Sequence, residues 1–277
     1  MPKNKKDENS INYRRIKRYR KRNGYFICNN GWNVAATMRN AGNINMFAQN
    51  KNIKTYILNV KDKAAIAACI AEVINDFSRI DVLVNNAGIY TTNPLEVTTD
   101  EELEDIIDTN IKGVVYTSKF ILKHFRQNKG GTIVNVSSIA GRVTFPYQSI
   151  YHTSKWAIEG FSESLYYELK SFNVKVKIVE PGMVKTNIYN AVMTLPDKEY
   201  PREYNTKFPK WHSYLMKSYR NGYSPKLDAE TIYKAANSHS TRLRYTSDFS
   251  TKLVFFIRSF LPLFIYQNLI DKLTMSK

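Results

Sequence analysis

From Trp32 onward the chain alternates short β-rich runs with longer amphipathic stretches, and few folds accept that order. Asn33 to Met38, Thr55 to Asn59, Asp81 to Asn85, Thr132 to Ser137 and Val174 to Glu180 read as strands. Between them, Ala64 to Phe77, Glu101 to Gln127 and Tyr151 to Ser171 carry apolar residues at helical spacing. Strands separated by helices imply βαβ units, so the expected fold is α/β with a doubly wound parallel sheet. No internal repeat or low-complexity linker interrupts the pattern, and 277 residues at 43% hydrophobic can bury one large core, so we expect a single domain. Met193 to Pro225, rich in Pro, Tyr and Lys, has weak periodicity and reads as an irregular lobe over the carboxyl edge of the sheet.

Two cysteines, Cys28 and Cys69, cannot build a disulfide framework, and the first thirty residues lack an apolar signal stretch, so the expected location is cytoplasmic. The formal charge of +17 would ordinarily suggest nucleic acid or an anionic surface as partner. Its distribution argues otherwise: residues 1 to 23 hold ten Lys/Arg against Asp7 and Glu8, a local +8 that leaves +9 for the other 254 residues. That basic segment contains no recognisable DNA- or RNA-binding motif, so phosphate attraction is the only support for nucleic acid and we expect none.

The chemistry lies in one constellation. Tyr151 and Lys155 open a helical stretch at i and i+4 and project from one face, where an ammonium favours a neighbouring phenolate. The spacing alone proves little, since Tyr13/Lys17 and Tyr166/Lys170 share it. Context adds to it: Ser138, thirteen residues earlier, follows a strand and precedes a tight Ile139-Ala140-Gly141 turn, where its hydroxyl can reach a substrate oxygen beside the phenol. Asn85-Asn86-Ala87-Gly88 ends another strand with small residues that admit a ligand to the backbone. Asn110 lies inside the next helical pattern, and Pro181-Gly182 closes the strand before Thr186.

These motifs, in this order over residues 32 to about 190, resemble the short-chain dehydrogenase/reductase family. The resemblance implies a Rossmann-type dinucleotide-binding and catalytic core at 32–190, followed at 191–277 by a substrate lobe and C-terminal helices of the same domain. It implies hydride transfer between NADP(H) or NAD(H) and a carbonyl or secondary alcohol, no metal, and a homo-oligomer. Tyr151 would exchange the proton with the substrate oxygen, Ser138 would polarise that oxygen, and Lys155 would lower the tyrosine pKa and hold the nicotinamide ribose. Asn110 would anchor a relay water. Asn59 and Val60 would lie at the adenine, Asn86, Ala87 and Gly88 along the adenosine side, Pro181 and Gly182 at the cofactor edge, and Val184 and Thr186 near the nicotinamide amide. The strand at 33–38 ends in Arg39 rather than an acidic residue, which suits a 2′-phosphate and favours NADP(H) over NAD(H).

One part of the pattern is missing. The glycine-rich turn that should cradle pyrophosphate before Trp32 is replaced, in the 1–31 segment, by Arg14-Arg15-Ile16-Lys17-Arg18-Tyr19-Arg20-Lys21. Arginine cannot supply the backbone freedom those glycines give. With suitable AT-leaning codons, however, Asp7 to Cys28 read from the second base of each codon gives Met-Lys-Ile-Val-Leu-Ile-Thr-Gly-Gly-Ser-Arg-Gly-Ile-Gly-Lys-Glu-Thr-Ala-Ile-Leu-Phe, a buried strand, the family's turn and an amphipathic helix. A frameshift near Cys28 to Gly31 would account for both the lost turn and the local charge. On that hypothesis the written chain lacks its first central strand and leaves a gap in the sheet. The alternative is a genuine basic extension on a catalytically impaired homologue.

Leu253 to Ile265 is strongly apolar but holds Arg258 and Pro262 and is too short to span a bilayer. We expect an apolar tail helix packed beside the substrate pocket, with peripheral membrane contact, aided by Lys252 and Arg258, as the other option. Either suits a lipophilic substrate.

Overall fold

The computed structural model describes the backbone of residues 8–13, and residues 24–40, 42, 45, 47–186, 188 and 198–275. Seven strands form one sheet: β1 (Glu8–Tyr13), β2 (Trp32–Met38), β3 (Ile53–Ile57), β4 (Val82–Asn85), β5 (Gly131–Val136), β6 (Val174–Glu180) and β7 (Arg244–Thr246). They run in the order β3-β2-β1-β4-β5-β6-β7. Every neighbouring pair is parallel. The order reverses between β1 and β4, so the crevice outside the carboxyl ends there is where such a sheet binds ligands.

Both faces are covered, and the strand sequences show why. In β2 and β4 successive residues enter opposite clusters: Ala35 and Leu83 join one, Val34, Ala36, Val82 and Val84 the other. The first cluster is closed by α2 (Lys63–Phe77), α4 (Gly113–Gln127) and α5 (Ser149–Leu169), the second by helical residues 24–29, here α1, and by α7 (Lys226–Asn237). Helix starts are chemically marked. Asp62 accepts from the Ala65 amide ahead of α2, and Thr99 and Glu102 form a reciprocal capping box at α3 (Asp100–Ile106).

Four expectations need correction. The written chain does not leave a gap beside β2 and β4. Glu8–Tyr13 fills it, pairing Ser10 with Val34 and Val82 and Ile11 with Ala35 and Leu83. The arginine-rich turn at 14–21 lies outside the described residues. Glu101 to Gln127 is not one regular helix, because a π-helical turn at Ile107–Lys112 separates α3 from α4. The supposedly irregular lobe contains α6 (Tyr204–Arg220), which buries Phe208, Trp211, Leu215 and Tyr219 at 3–4 residue spacing. Pro209 inside it, and a density of Lys and Tyr on its outer side, obscure that period in the sequence. The apolar tail is two helices, α8 (Phe249–Phe260) and α9 (Leu263–Met275), broken at Leu261-Pro262 because proline cannot continue the first. No described helix is long and apolar enough to cross a membrane.

Candidate active site

The floor of the site is a ladder of buried amides at the carboxyl ends of β4 and β5. Asn85 and Asn135 are register partners, and Asn85 Nδ2 donates to Asn135 Oδ1 at 2.8 Å. Thr117 Oγ1 donates to Asn85 Oδ1 at 2.7 Å, and Asn135 Nδ2 donates to Ser162 Oγ at 2.8 Å. Satisfied in this way, the network ties both strands to α4 and α5 and fixes where their ends point.

Just past β4, the half-buried Asn86, buried Ala87 and half-buried Gly88 run beneath the π-helical turn. Asn110, fully buried there, accepts from the Ile89 amide (2.8 Å) and donates to the Ile89 carbonyl (3.0 Å) and to Ser154 Oγ (3.0 Å). Both its amide protons are thus committed, to Ile89 and to Ser154. A Cβ on Gly88 would stand 3.5 Å from Asn110 Oδ1 and 3.8 Å from Lys155 Nζ, so the bare backbone faces the point where those two groups converge.

Ser138 caps the short 3₁₀ turn Ile139–Gly141, its Oγ accepting from the Ala140 amide at 3.2 Å. Its hydroxyl also lies near enough to the Tyr151 phenol to favour the phenolate. The turn is held on three sides. Ile139 N donates to Pro181 O at 2.7 Å, and Gly141 packs so closely that an added Cβ would lie 2.5 Å from Ser137 Oγ. His152 completes the hold: its Nε2 accepts from the Phe145 amide at 2.9 Å, which leaves Nδ1–H to donate to Ala140 O at 2.8 Å. Burial lowers the His152 pKa and keeps that neutral tautomer.

Tyr151 and Lys155 face inward from the first turns of α5, both buried. Lys155 Nζ donates to Val136 O at 3.0 Å and lies 5.9 Å from the centre of the Tyr151 ring. The expectation that the lysine depresses the tyrosine is not met in this pocket. Burial pushes Tyr151 up to about 12 against the opposing influence of the Ser138 hydroxyl, and pushes Lys155 down to about 8 against the field of Glu159. Both shifts have one cause, a dry apolar surround. Tyr90 meets the Tyr151 ring edge-on at 4.7 Å, and Phe208, Trp211 and Leu215 of α6 join the same cluster.

Beneath the turn lies a buried charge cluster. Arg244 of β7 contacts Glu159 (3.0 Å), Glu163 (2.7 Å) and Glu180 (3.7 Å), while Arg142 of the turn reaches Glu180 at 3.3 Å. Burial, with Glu180 nearby, pushes Glu159 up to about 7 despite Arg244 and Ser137.

The remaining candidates lie along the same carboxyl edge. Arg39 is exposed one residue past β2. Asn59 is half-buried past β3, and its Oδ1 accepts from the Lys61 amide at 3.4 Å. The Val60 side chain is core, within 3.0 Å of where a Gly113 Cβ would sit, so only its backbone is available to a ligand. Pro181 and Gly182 are buried at the end of β6. A Cβ on Gly182 would collide with Thr251 and Asp248 of the α8 start, so this glycine serves helix packing. Val184 bridges Tyr223, and the half-buried Thr186 donates its amide to Val184 O at 2.8 Å. Ser138, Tyr151, Lys155 and Asn110 therefore converge, and Arg39 and Asn59 stand across the switch point from them. Motif spacing did not reveal His152, Tyr90, Trp211 or the Glu159–Arg244 pair. Only His152, next to the motif tyrosine, lay close to a signal.

Residues 25–195 match the short chain dehydrogenase family. An uncharacterised oxidoreductase of Schizosaccharomyces pombe is 38% identical over 213 residues, 76% of this chain and 89% of that protein. A 3-ketodihydrosphingosine reductase of Bacteroides thetaiotaomicron is 33% identical over 66% of this chain and 68% of its own length. Among solved structures, a short-chain dehydrogenase from Streptomyces avermitilis superposes with a TM-score of 0.80 at 25% identity, covering 97% of this chain and 96% of its own. The NADP-bound structure of ElxO gives 0.71 at 26% identity, covering 87% of this chain and 98% of its own.

Proposed function

The chain belongs to the short-chain dehydrogenase/reductase family, an oxidoreductase family, and from that premise we propose that it interconverts a lipophilic ketone and its secondary alcohol with NADP(H). One observation carries this reading. A buried phenol, beside the Ser138 hydroxyl and backed by Lys155, packs in an aromatic wall of Tyr90, Phe208 and Trp211. The Bacteroides relative, a 3-ketodihydrosphingosine reductase, supports a lipophilic ketone. The bound nicotinamide would supply or accept the hydride.

The residues present fit the nicotinamide end of such a cofactor, since Lys155 and the bare Gly88 backbone face one another. Lys155 would hold ribose hydroxyls while Asn110 keeps the loop at Ile89 in place. In reduction, Tyr151 gives its phenolic proton to the substrate oxygen, and Ser138 donates a second hydrogen bond to that oxygen. Burial, which raises the phenol, keeps the proton on Tyr151 until the substrate oxygen becomes basic. The exposed Arg39 past β2 supports a 2′-phosphate and so NADP(H) over NAD(H). Tyr151→Phe should slow NADPH oxidation by long-chain ketones about 10³-fold with an unchanged circular dichroism spectrum. A variant that keeps its rate would remove Tyr151 from this role.

A second reading, favoured by where β1 falls, concerns residues 7–28. The alternative frame places Lys-Ile-Val-Leu-Ile-Thr on the codons of Glu8 to Tyr13, the residues that occupy the central strand position, and ends its helix where α1 is found. We read this segment as out of frame, the glycine-rich turn being encoded at Arg14, Arg18 and Arg20. If those codons are neither AGG nor CGG, the glycines vanish from the second frame and the chain is an impaired homologue without a phosphate loop.

A further inference from the structure

We propose that the outward face of the hairpin α8–α9 docks on an anionic lipid bilayer beside the mouth of the substrate pocket. This goes beyond the hydride-transfer reading and does not depend on it. Nine of the fifteen large apolar side chains exposed among the described residues belong to this hairpin. They are ordered. On α8, Phe249, Leu253, Phe256 and Phe260 recur at intervals of four, three and four, which is one stripe of a helix, and Phe249 and Phe260 are 78% and 72% exposed. On α9, Ile265, Leu269 and Leu273 repeat every four residues and are exposed in turn.

The inward faces are already in use. Phe255 and Tyr266 pack with Ile139 and Val143 against the turn that carries Ser138, and Arg142 stacks on the Phe255 ring at 4.3 Å. Asp248 caps α8 by accepting from the Thr251 amide at 2.9 Å. Both helices are therefore fixed, α8 against β7 and the turn and α9 against α6, each with a second apolar stripe turned outward. An apolar patch of this extent on a fixed element marks an interaction surface.

Charge selects the occupant. Residues 249–275 carry Lys252, Arg258 and Lys272 against one acid, Asp271. A two-fold copy of the same face would bring these cations together, whereas anionic headgroups would meet them with opposite charge. The helices, twelve and thirteen residues long with a proline break, are too short to cross a bilayer and suit lying in its interface, phenylalanines and leucines down. Phe145 packs both against the inner face of these helices and in the wall around Tyr151, so a lipophilic ketone dissolved in the bilayer would have a short path to Tyr151.

Flotation of the full chain with vesicles of phosphatidylcholine and phosphatidylglycerol tests this. The wild type should partition onto mixed vesicles and more weakly onto phosphatidylcholine alone. Phe256→Glu with Phe264→Glu should lower partition at least tenfold with an unchanged circular dichroism spectrum, while Phe256→Leu with Phe264→Leu should retain it. Lys252→Glu, at an exposed position, should weaken binding to mixed vesicles about fivefold or more and leave the neutral ones unaffected, a readout that survives if the double glutamate variant misfolds. The basic N-terminal segment is the same in every variant, so only hairpin-dependent partition counts. The proposal is overturned if no vesicle is bound, if all variants bind alike, or if the double glutamate substitution instead dissolves a dimer in sedimentation velocity. Loss of ketone reduction with intact flotation would count against the catalytic reading alone.

Discussion

The two strands that flank the switch point of the sheet, β1 and β4, have the same backbone and opposite chemistry. Each runs parallel to its neighbours in unbroken register. β4 reads Val82-Leu83-Val84-Asn85 and is buried along its whole length, its single polar residue answered by Asn135, Thr117 and Ser118. β1 reads Glu8-Asn9-Ser10-Ile11-Asn12-Tyr13 in an equally central position. Parallel pairing asks only for amides and carbonyls, which any non-proline residue supplies. Enclosure between two helical layers asks for apolar side chains on both faces of the strand, and β1 does not offer them.

The sharpest way to widen that contrast is to remove it. Replacing residues 7–28 with the second-frame sequence puts Ile, Val, Leu and Ile on successive β1 positions, and burying them should raise stability on the order of 5 kcal/mol. Urea unfolding reads this, and calorimetry should show NADP(H) binding tighten with the restored turn. A restored chain no more stable than the written one would mean that β1 is native as it stands.

On the catalytic side, the charge cluster under the turn should be the costliest to break. Arg244→Met removes the cation that Glu159 and Glu180 share, leaving Glu180 with Arg142 and the Thr246 hydroxyl, and should cost about 4 kcal/mol. A loss below about 1 kcal/mol would show that solvent reaches these carboxylates.

A subtler test uses pH. Because Glu159 is raised from 4.5 to about 7, the folded state holds its proton where the unfolded state has released it. Stability from this group is therefore full below pH 4.5 and falls as pH rises to about 7, by about 3 kcal/mol. Unfolding curves of Glu159→Gln should lack that decline; a parallel decline in both proteins would assign it to another group. The smallest effect belongs to the cofactor edge of β2, where Arg39→Asp should weaken NADP(H) about tenfold or more and NAD(H) hardly at all. Equal losses would make Arg39 a solvated cation.

Much of this half was readable in the chain. Five strands, the helices between them and the Ser138, Tyr151, Lys155 and Asn110 set follow from periodicity and motif order, because short-range pattern and chemistry coincide there. What escaped depends on contacts distant in sequence. His152 matters through Ala140 and Phe145, and Glu159 through Arg244, eighty-five residues away. Trp211 matters through the stack with Phe145, at 6.2 Å. α6 was hidden by Pro209, and β7, three residues long, is too short for any period to show. The direction of the Tyr151 shift was missed for a related reason: spacing brings the ammonium near but does not reveal how dry the pocket is.

The π-helical turn at Ile107–Lys112 carries a consequence for insertions and deletions. Such a turn holds one residue more than an α-helical path between the same ends. Deleting Ile111 would let α3 run straight into α4 as a regular helix, with no loss of helical hydrogen bonding. The flanking segments would keep their orientation, but Asn110 would lose the widened turn from which it meets both the amide and the carbonyl of Ile89. At this place a shorter and more regular chain would be the poorer one.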